Sequence, residues 1–252
     1  MYPHPFGIEF LSSFGVMVAI GVLVGGELVA RSFDKFGLER EAAWRMVTWC
    51  IIGGMLGAKL WYVGEQFARN PSEPWTQWLF SRGGLTWYGG LLGGTIAALL
   101  GARVGKVPIF TLVNLASPTL AVGQALGRIG CFLVGDDYGR VTDRPWGIAF
   151  PEGLPPTLEP VHPTMLYETG WLGLAGLWLW RRRERSPFLF GEYLVLAGVG
   201  RLWIEMLRLN PPLLGPLSNA QVIASVCIVV GTGGWLYAAS RHPDPLTRDA
   251  AG

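Results

Sequence analysis

The sequence predicts an all-α, polytopic integral membrane protein with about seven transmembrane helices. Three observations carry this expectation. Half of the 252 residues are hydrophobic and only 15% are charged, whereas soluble domains carry about 25% charged residues. The chain holds 36 Gly and 12 Trp; Gly is frequent where membrane helices approach closely, and Trp collects at bilayer interfaces. The apolar residues also fall in continuous runs rather than alternating, which argues against a membrane β-barrel. A formal net charge of +2 gives no reason to expect a nucleic-acid partner, and the apolar content excludes disorder. The length suits one domain, so residues 1–252 are read as a single membrane-embedded domain.

A helix needs roughly 20 mostly apolar residues to cross the hydrocarbon layer. Segments 12–30, 47–63, 84–102, 165–180, 189–206 and 221–239 meet or nearly meet that length. Segment 109–125 is shorter and contains Pro118, which membrane helices tolerate when neighbouring groups satisfy the freed carbonyl. Seven spans place the termini on opposite sides. With the N-terminus outside, twelve basic residues fall in cytoplasmic segments and six in external ones, while Lys59 and Arg201 lie within spans. That bias supports an N-out, C-in orientation. The run Arg181-Arg182-Arg183-Glu184-Arg185 reads as a stop-transfer and lipid anchor. Residues 126–163 then form the longest interruption, an external loop rich in proline between Pro151 and Pro160; loops of that length are commonly functional.

Ionisable groups in or beside the spans are costly to bury and are the first candidates for function. Arg201 and Glu205 share a helix face at i, i+4 spacing, and Arg208 lies three residues further on. Two readings stand for this set: a self-neutralising ion pair, or an anion site exploiting two Arg against one Glu. Gly127 to Arg140 is a glycine-rich stretch bracketed by Arg128 and Arg140, and guanidinium groups suit bidentate phosphate recognition. Its alternative is a re-entrant turn with two solvent-facing arginines. In Arg82-Gly83-Gly84-Leu85-Thr86-Trp87-Tyr88-Gly89-Gly90, Tyr88 is either an interfacial anchor or a chemically useful hydroxyl. His162-Pro163-Thr164 opens the fifth span, with Thr164 as expected N-cap and Glu168 one turn inside. Three histidines, two of them in the tails (His4 and His242), and Cys50, Cys131 and Cys227 without metal-type spacing argue against a metal centre. No nucleotide fingerprint is present.

Taken together these motifs resemble the prolipoprotein diacylglyceryl transferase family, in order and across nearly the whole chain. The most specific is GRIGCFLVGDDYGR, from Gly127 to Arg140, followed by RGGLTWYGG, HPTMLYE and RLWIEMLR. The resemblance implies a multi-pass enzyme of the bacterial cytoplasmic membrane with its active site towards the outer leaflet. Its substrates would be phosphatidylglycerol and preprolipoprotein signal peptides bearing a lipobox cysteine, with membrane lipids around it and no diffusible cofactor. Arg128 falls on the family's headgroup-binding arginine, Arg201 on an essential arginine of the sixth span, and Glu205 on its acidic neighbour. Gly130, Gly139, His162 and Glu168 also match, while Tyr88 stands where many members have histidine and Cys131 where the signature usually has asparagine.

The implied reaction displaces glycerol phosphate from a glyceryl carbon by a thiolate, only about 1% to a few per cent of a free cysteine at pH 7. The expectation is that Arg128 and Arg201 clamp the phosphate, with Arg208 beside them, that Glu205 orients Arg201, and that Tyr88 assists thiol deprotonation. The rival readings are a paralogue with another acceptor, and a non-catalytic phospholipid-binding protein.

Overall fold

A computed structural model describes residues 12–81 and 84–241. His4, Arg82, Gly83, His242 and Arg248 lie outside the described residues. Seven long helices occupy the seven expected places: α1 (Ser13–Lys35), α2 (Arg40–Arg69), α4 (Trp87–Val104), α5 (Ile109–Val134), α6 (Thr164–Arg182), α7 (Leu189–Glu205) and α8 (Asn219–Arg241), with a single turn, α3 (Thr76–Leu79), after α2. By length and composition α1, α2, α5 and α8 are long and apolar enough to cross a membrane. Two antiparallel hairpins complete the described residues, β1 (Ile148–Phe150) with β2 (Thr157–Val161) and β3 (Pro212–Leu214) with β4 (Leu217–Ser218).

The chain packs as two compact units, one of Val29–Leu112 and one holding the described residues up to Leu28 and from Val113 onward. In the Val29–Leu112 unit, glycines bring α2 and α4 into backbone contact. A Cβ on Gly57 would strike the Gly89 carbonyl, and one on Gly93 the Gly53 carbonyl. This is the small-residue packing of membrane helices, which gain no hydrophobic drive from each other. Lys59, inside α2, donates from Nζ to the Ser81 carbonyl at 2.8 Å, which satisfies a charge within an apolar helix.

The other unit uses the same device. Cβ atoms on Gly191 and Gly231 would each fall within 2.7 Å of the other residue's carbonyl, so α7 and α8 meet backbone to backbone. Pro118 lies inside α5, where it removes a helix hydrogen bond; the adjacent Ser117 hydroxyl donates to the Val113 carbonyl at 2.6 Å. At the far end of α6, Arg182 makes two 2.8 Å bonds with Glu192 of α7. One arginine of the basic run is therefore a tie between helices.

The expected loop at 126–163 needs correction at its start. Helix α5 continues to Val134, so Gly127, Arg128, Gly130 and Cys131 are helical. The glycines that suggested a turn serve packing instead: a Cβ on Gly130 would sit 3.1 to 3.2 Å from Phe14 and Met17 of α1. The helix stops at Gly135, whose φ of 77° is the left-handed cap glycine adopts readily, and the Gly135 amide returns to the Cys131 carbonyl at 2.8 Å. Residues 135–163 then form a small head built on the β1–β2 hairpin. Its core gathers Cys131, Phe150, Val161 and Met165, with Tyr138 stacked on Phe150 at 5.5 Å. Gly139 is required there, because a Cβ would lie 2.6 Å from the Leu207 carbonyl. The neighbouring Arg140 amide donates to that carbonyl at 2.8 Å, fixing the head to the end of α7.

Candidate active site

Five of the charges singled out in the sequence converge, four from three helices and Arg208 from just beyond the end of α7. Glu168 on α6 is the joint. Its Oε1 accepts from Arg201 of α7 at 2.6 Å, and its Oε2 pairs with Nε of Arg128 on α5. Arg201 reaches Glu205 at 2.9 Å through the expected i, i+4 spacing. Arg208 stands 3.9 Å from Glu205 and pairs with Asp137 of the head, while Asp137 returns to Arg128 at 2.6 Å. Three arginines and three carboxylates thus alternate around a closed ring.

This corrects one expectation. The two-to-one excess of Arg over Glu within the sixth span does not leave a net positive site, because Glu168 and Asp137 arrive from elsewhere in the fold and balance it. What distinguishes the members is exposure. The side chains of Glu168, Glu205 and Arg208 are 6%, 2% and 7% exposed, those of Arg128 and Arg201 about a quarter, and that of Asp137 40%. The carboxylates of Glu168 and Glu205 form a buried scaffold, and two guanidinium groups face outward from it. A guanidinium carries five N–H donors on three nitrogens. The ring engages Nε and one Nη of Arg128 and both Nη of Arg201, which leaves Nη2 of Arg128 and Nε of Arg201 as donors outside it.

Asp137 is set differently from the two glutamates. Its φ of 62° is left-handed, a conformation Asp tolerates better than most residues. Its carbonyl accepts from the Thr164 hydroxyl at 2.7 Å. Thr164 is consequently not the N-cap expected of it; Pro163 occupies that position without a capping side-chain bond, and the hydroxyl holds the head loop instead. Burial would raise the Asp137 carboxyl, but Arg208 and Arg128 outweigh it and hold it below the usual carboxylate range. Burial pushes its neighbour Asp136 up.

The remaining candidates are placed as follows. Cys131 is buried in the head core, one turn along α5 from Arg128, with its Sγ 3.8 Å from Nη1. Its thiol therefore lines the inner side of the arginine rather than an open surface. His162 directs Nδ1 to the Tyr167 hydroxyl at 3.1 Å, which also accepts from Trp146 at 2.7 Å. Burial, reinforced by Arg140 and Arg144, pushes the His162 imidazole below its ordinary value. Gly130 and Gly139 act through close packing. Tyr88 lies in the Val29–Leu112 unit, at the first turn of α4, half exposed and edge-on to Trp87 at 5.3 Å. Three contributors escaped the sequence reading: Asp137, and Asn210 and Ser218, which donate to Glu205 Oε1 at 2.7 and 2.6 Å. Of the last two, Asn210 lies shortly after the charged helix and Ser218 immediately before α8.

Comparison with known proteins agrees with these motifs. The family model described as prolipoprotein diacylglyceryl transferase matches residues 5–237. A phosphatidylglycerol–prolipoprotein diacylglyceryl transferase of Synechococcus elongatus is 36% identical, covering 94% of this chain and 87% of its own. That of Trichormus variabilis is 34% identical, with 93% and 89% covered, and that of Clostridium tetani 32%, with 90% and 92%. On a match of this extent the chain belongs to the prolipoprotein diacylglyceryl transferase family.

Proposed function

We infer that this chain transfers the diacylglyceryl group of phosphatidylglycerol to the lipobox cysteine of preprolipoproteins, releasing glycerol phosphate. The relatives' shared activity supports it. The observation that carries the chemistry is the meeting of Arg128 and Arg201, from separate helices, on the single buried carboxylate of Glu168.

In this reading the phosphodiester lies against the outward nitrogens of the two arginines. The thiolate sulfur attacks the glyceryl carbon, a C–S bond forms, and the C–O bond to phosphate breaks with its electron pair leaving on glycerol phosphate. Charge builds on the departing phosphate as that bond stretches. Preorganised guanidinium groups in a site of low dielectric stabilise it without having to reorganise. Glu168 and Glu205 are positioning residues that hold the forks of Arg201 and Arg128 still. Asp137, the most exposed member, occupies an Nη of Arg128 and yields part of that arginine to the incoming anion. Seven spans in the N-out, C-in orientation would place the head and the ring on the outer side of the bacterial cytoplasmic membrane.

In this scheme Tyr88, at the family's histidine position, takes the thiol proton as a phenolate, the form in which a tyrosine can act as a base. General-base catalysis contributes about a hundredfold or more, so Tyr88→Phe is expected to lower transfer by about that factor. The check is the turnover number at saturating lipid across pH 6 to 9; a near-normal value would assign Tyr88 to interfacial anchoring. The function itself is tested by incubating purified protein with labelled phosphatidylglycerol and a lipobox peptide. Labelled peptide is the expected product. Lipid turnover with a different acceptor only would indicate the paralogue, and lipid binding without turnover a non-enzyme.

A further inference from the structure

Helix α5 is long and apolar enough to cross a membrane, where a polar side chain without a partner is costly. Three polar residues within it meet that demand on the backbone. Asn114 accepts from the Phe190 amide at 3.0 Å, Ser117 donates to the Val113 carbonyl at 2.6 Å, and Thr119 donates to the Gly25 carbonyl at 3.3 Å. Gln124 departs from this pattern. It is exposed, and its amide nitrogen donates to the hydroxyl of Tyr193 on α7, a residue only 8% exposed. A carboxamide nitrogen carries two hydrogens. Tyr193 takes one, which fixes the amide, and the other has no partner among the described residues.

The place of Gln124 decides which acceptor suits that hydrogen. Gln124 stands one helical turn before Arg128 on α5, about 6 Å further from the head and on nearly the same face. Beside them Gly127 carries no side chain, and a Cβ there would meet nothing within 4 Å. With a phospholipid phosphate at Arg128, only groups on the hydrocarbon side of that phosphate reach the level of Gln124. The path P–O–C–C–O–C from phosphorus to an ester carbonyl carbon spans about 6 Å when extended, at roughly 1.2 Å per bond. An ester carbonyl accepts hydrogen bonds, and beyond the esters the lipid is hydrocarbon with nothing to offer a donor.

We propose that Gln124, aimed by Tyr193, donates to an acyl ester carbonyl of the phospholipid, so that the chain selects its lipid as a diester as well as by the phosphate. Gln124 is then a specificity-determining residue and Tyr193 a positioning residue. The identity of the acceptor rests on the lipid-transfer reading above; the unshared donor one turn from Arg128 does not. The ester is not part of the bond that breaks, so this contact is the same before and during displacement. Interactions of that kind lower KM and leave kcat unchanged.

The test uses the full chain in detergent micelles with a lipobox peptide. It compares phosphatidylglycerol with the dialkyl ether lipid of the same headgroup and chain length, which keeps the phosphate and the glyceryl carbons but lacks both carbonyls. Peptide lipidation gives kcat and KM for each lipid, and thermal stabilisation by each lipid reports binding on the same samples. Wild type is expected to show a KM about tenfold lower for the diester, the scale of one net hydrogen bond, at similar kcat. Gln124→Met keeps the length of the side chain and removes the donor, and should raise the diester KM to that of the ether. Tyr193→Phe keeps the amide but releases it, should lose part of the preference, and decides the matter if Gln124→Met does not fold. Equal wild-type KM for the two lipids, or a preference undiminished in both variants, would overturn the proposal and leave the transferase reading intact. A fall in kcat for both lipids alike in Gln124→Met, with the KM ratio kept, would also overturn it, by giving Gln124 a structural role. Tighter binding of the diester without lipidated peptide would instead sink the transferase reading and leave the ester contact standing.

Discussion

Replacing Arg128 by glutamine is expected to reduce diacylglyceryl transfer by about a thousandfold, the upper range for loss of one preorganised donor to a developing anion. Two losses coincide. The outward nitrogens no longer meet the phosphate, and the buried carboxylate of Glu168 loses one of its two arginines. The protein should still fold and insert, since the Arg128 side chain is 26% exposed and Arg201 continues to hold Glu168. Arg128→Lys should recover less than a tenth of the activity. A lysine is one compact charge, whereas Arg128 bridges Asp137 and Glu168 at once through different nitrogens, which only a planar fork can do. The measurement is peptide lipidation per mole of purified protein, with melting temperature as the control for folding. Glutamine variants retaining more than a tenth of wild-type activity at normal stability would remove Arg128 from the chemistry.

How far the sequence foretold this arrangement depended on whether the information was local. Arg201, Glu205 and Arg208 lie at helical spacing, so their common face could be read directly. Glu168 was visible as a charge inside an apolar helix, but its role as the joint between α5 and α7 was not, because both partners come from other helices. Asp137 sits in an aperiodic polar stretch, where no pattern distinguishes it from Asp136; only the left-handed turn after Gly135 separates the two. The head was read as beginning at residue 126 because Gly127 and Gly130 look like breakers. Among membrane helices the same glycines mark close approach, and at Gly130 the neighbours are Phe14 and Met17 of α1, more than a hundred positions away along the chain, a proximity only the fold supplies. The short hairpins were hidden for the opposite reason: their strands are too brief, and too rich in proline, to show a period.

Glu168→Gln separates positioning from charge in this site. The amide keeps the shape of the side chain but replaces one acceptor oxygen with a donor, so one of Arg128 and Arg201 would face N–H against N–H. Removing one charge from a buried ion-pair network costs about 3 kcal/mol of stability or more, and a moderate fall in melting temperature should follow. The kinetic consequence is more specific. With Glu168 neutral, the ring of three arginines and three carboxylates becomes positive by one unit, and attraction for an anionic lipid strengthens. The arginine that lost its anchor also becomes mobile, and a misplacement of about 1 Å costs on the order of a hundredfold in rate. The expected outcome is therefore a split: the turnover number drops about a hundredfold while KM for phosphatidylglycerol stays level or falls. Glu168→Asp keeps the charge but is a methylene shorter, so it should recover part of the turnover with KM near wild type. A rise in KM with unchanged turnover in Glu168→Gln would mean that Glu168 contributes uniformly to binding, and that the two arginines hold their transition-state geometry without it.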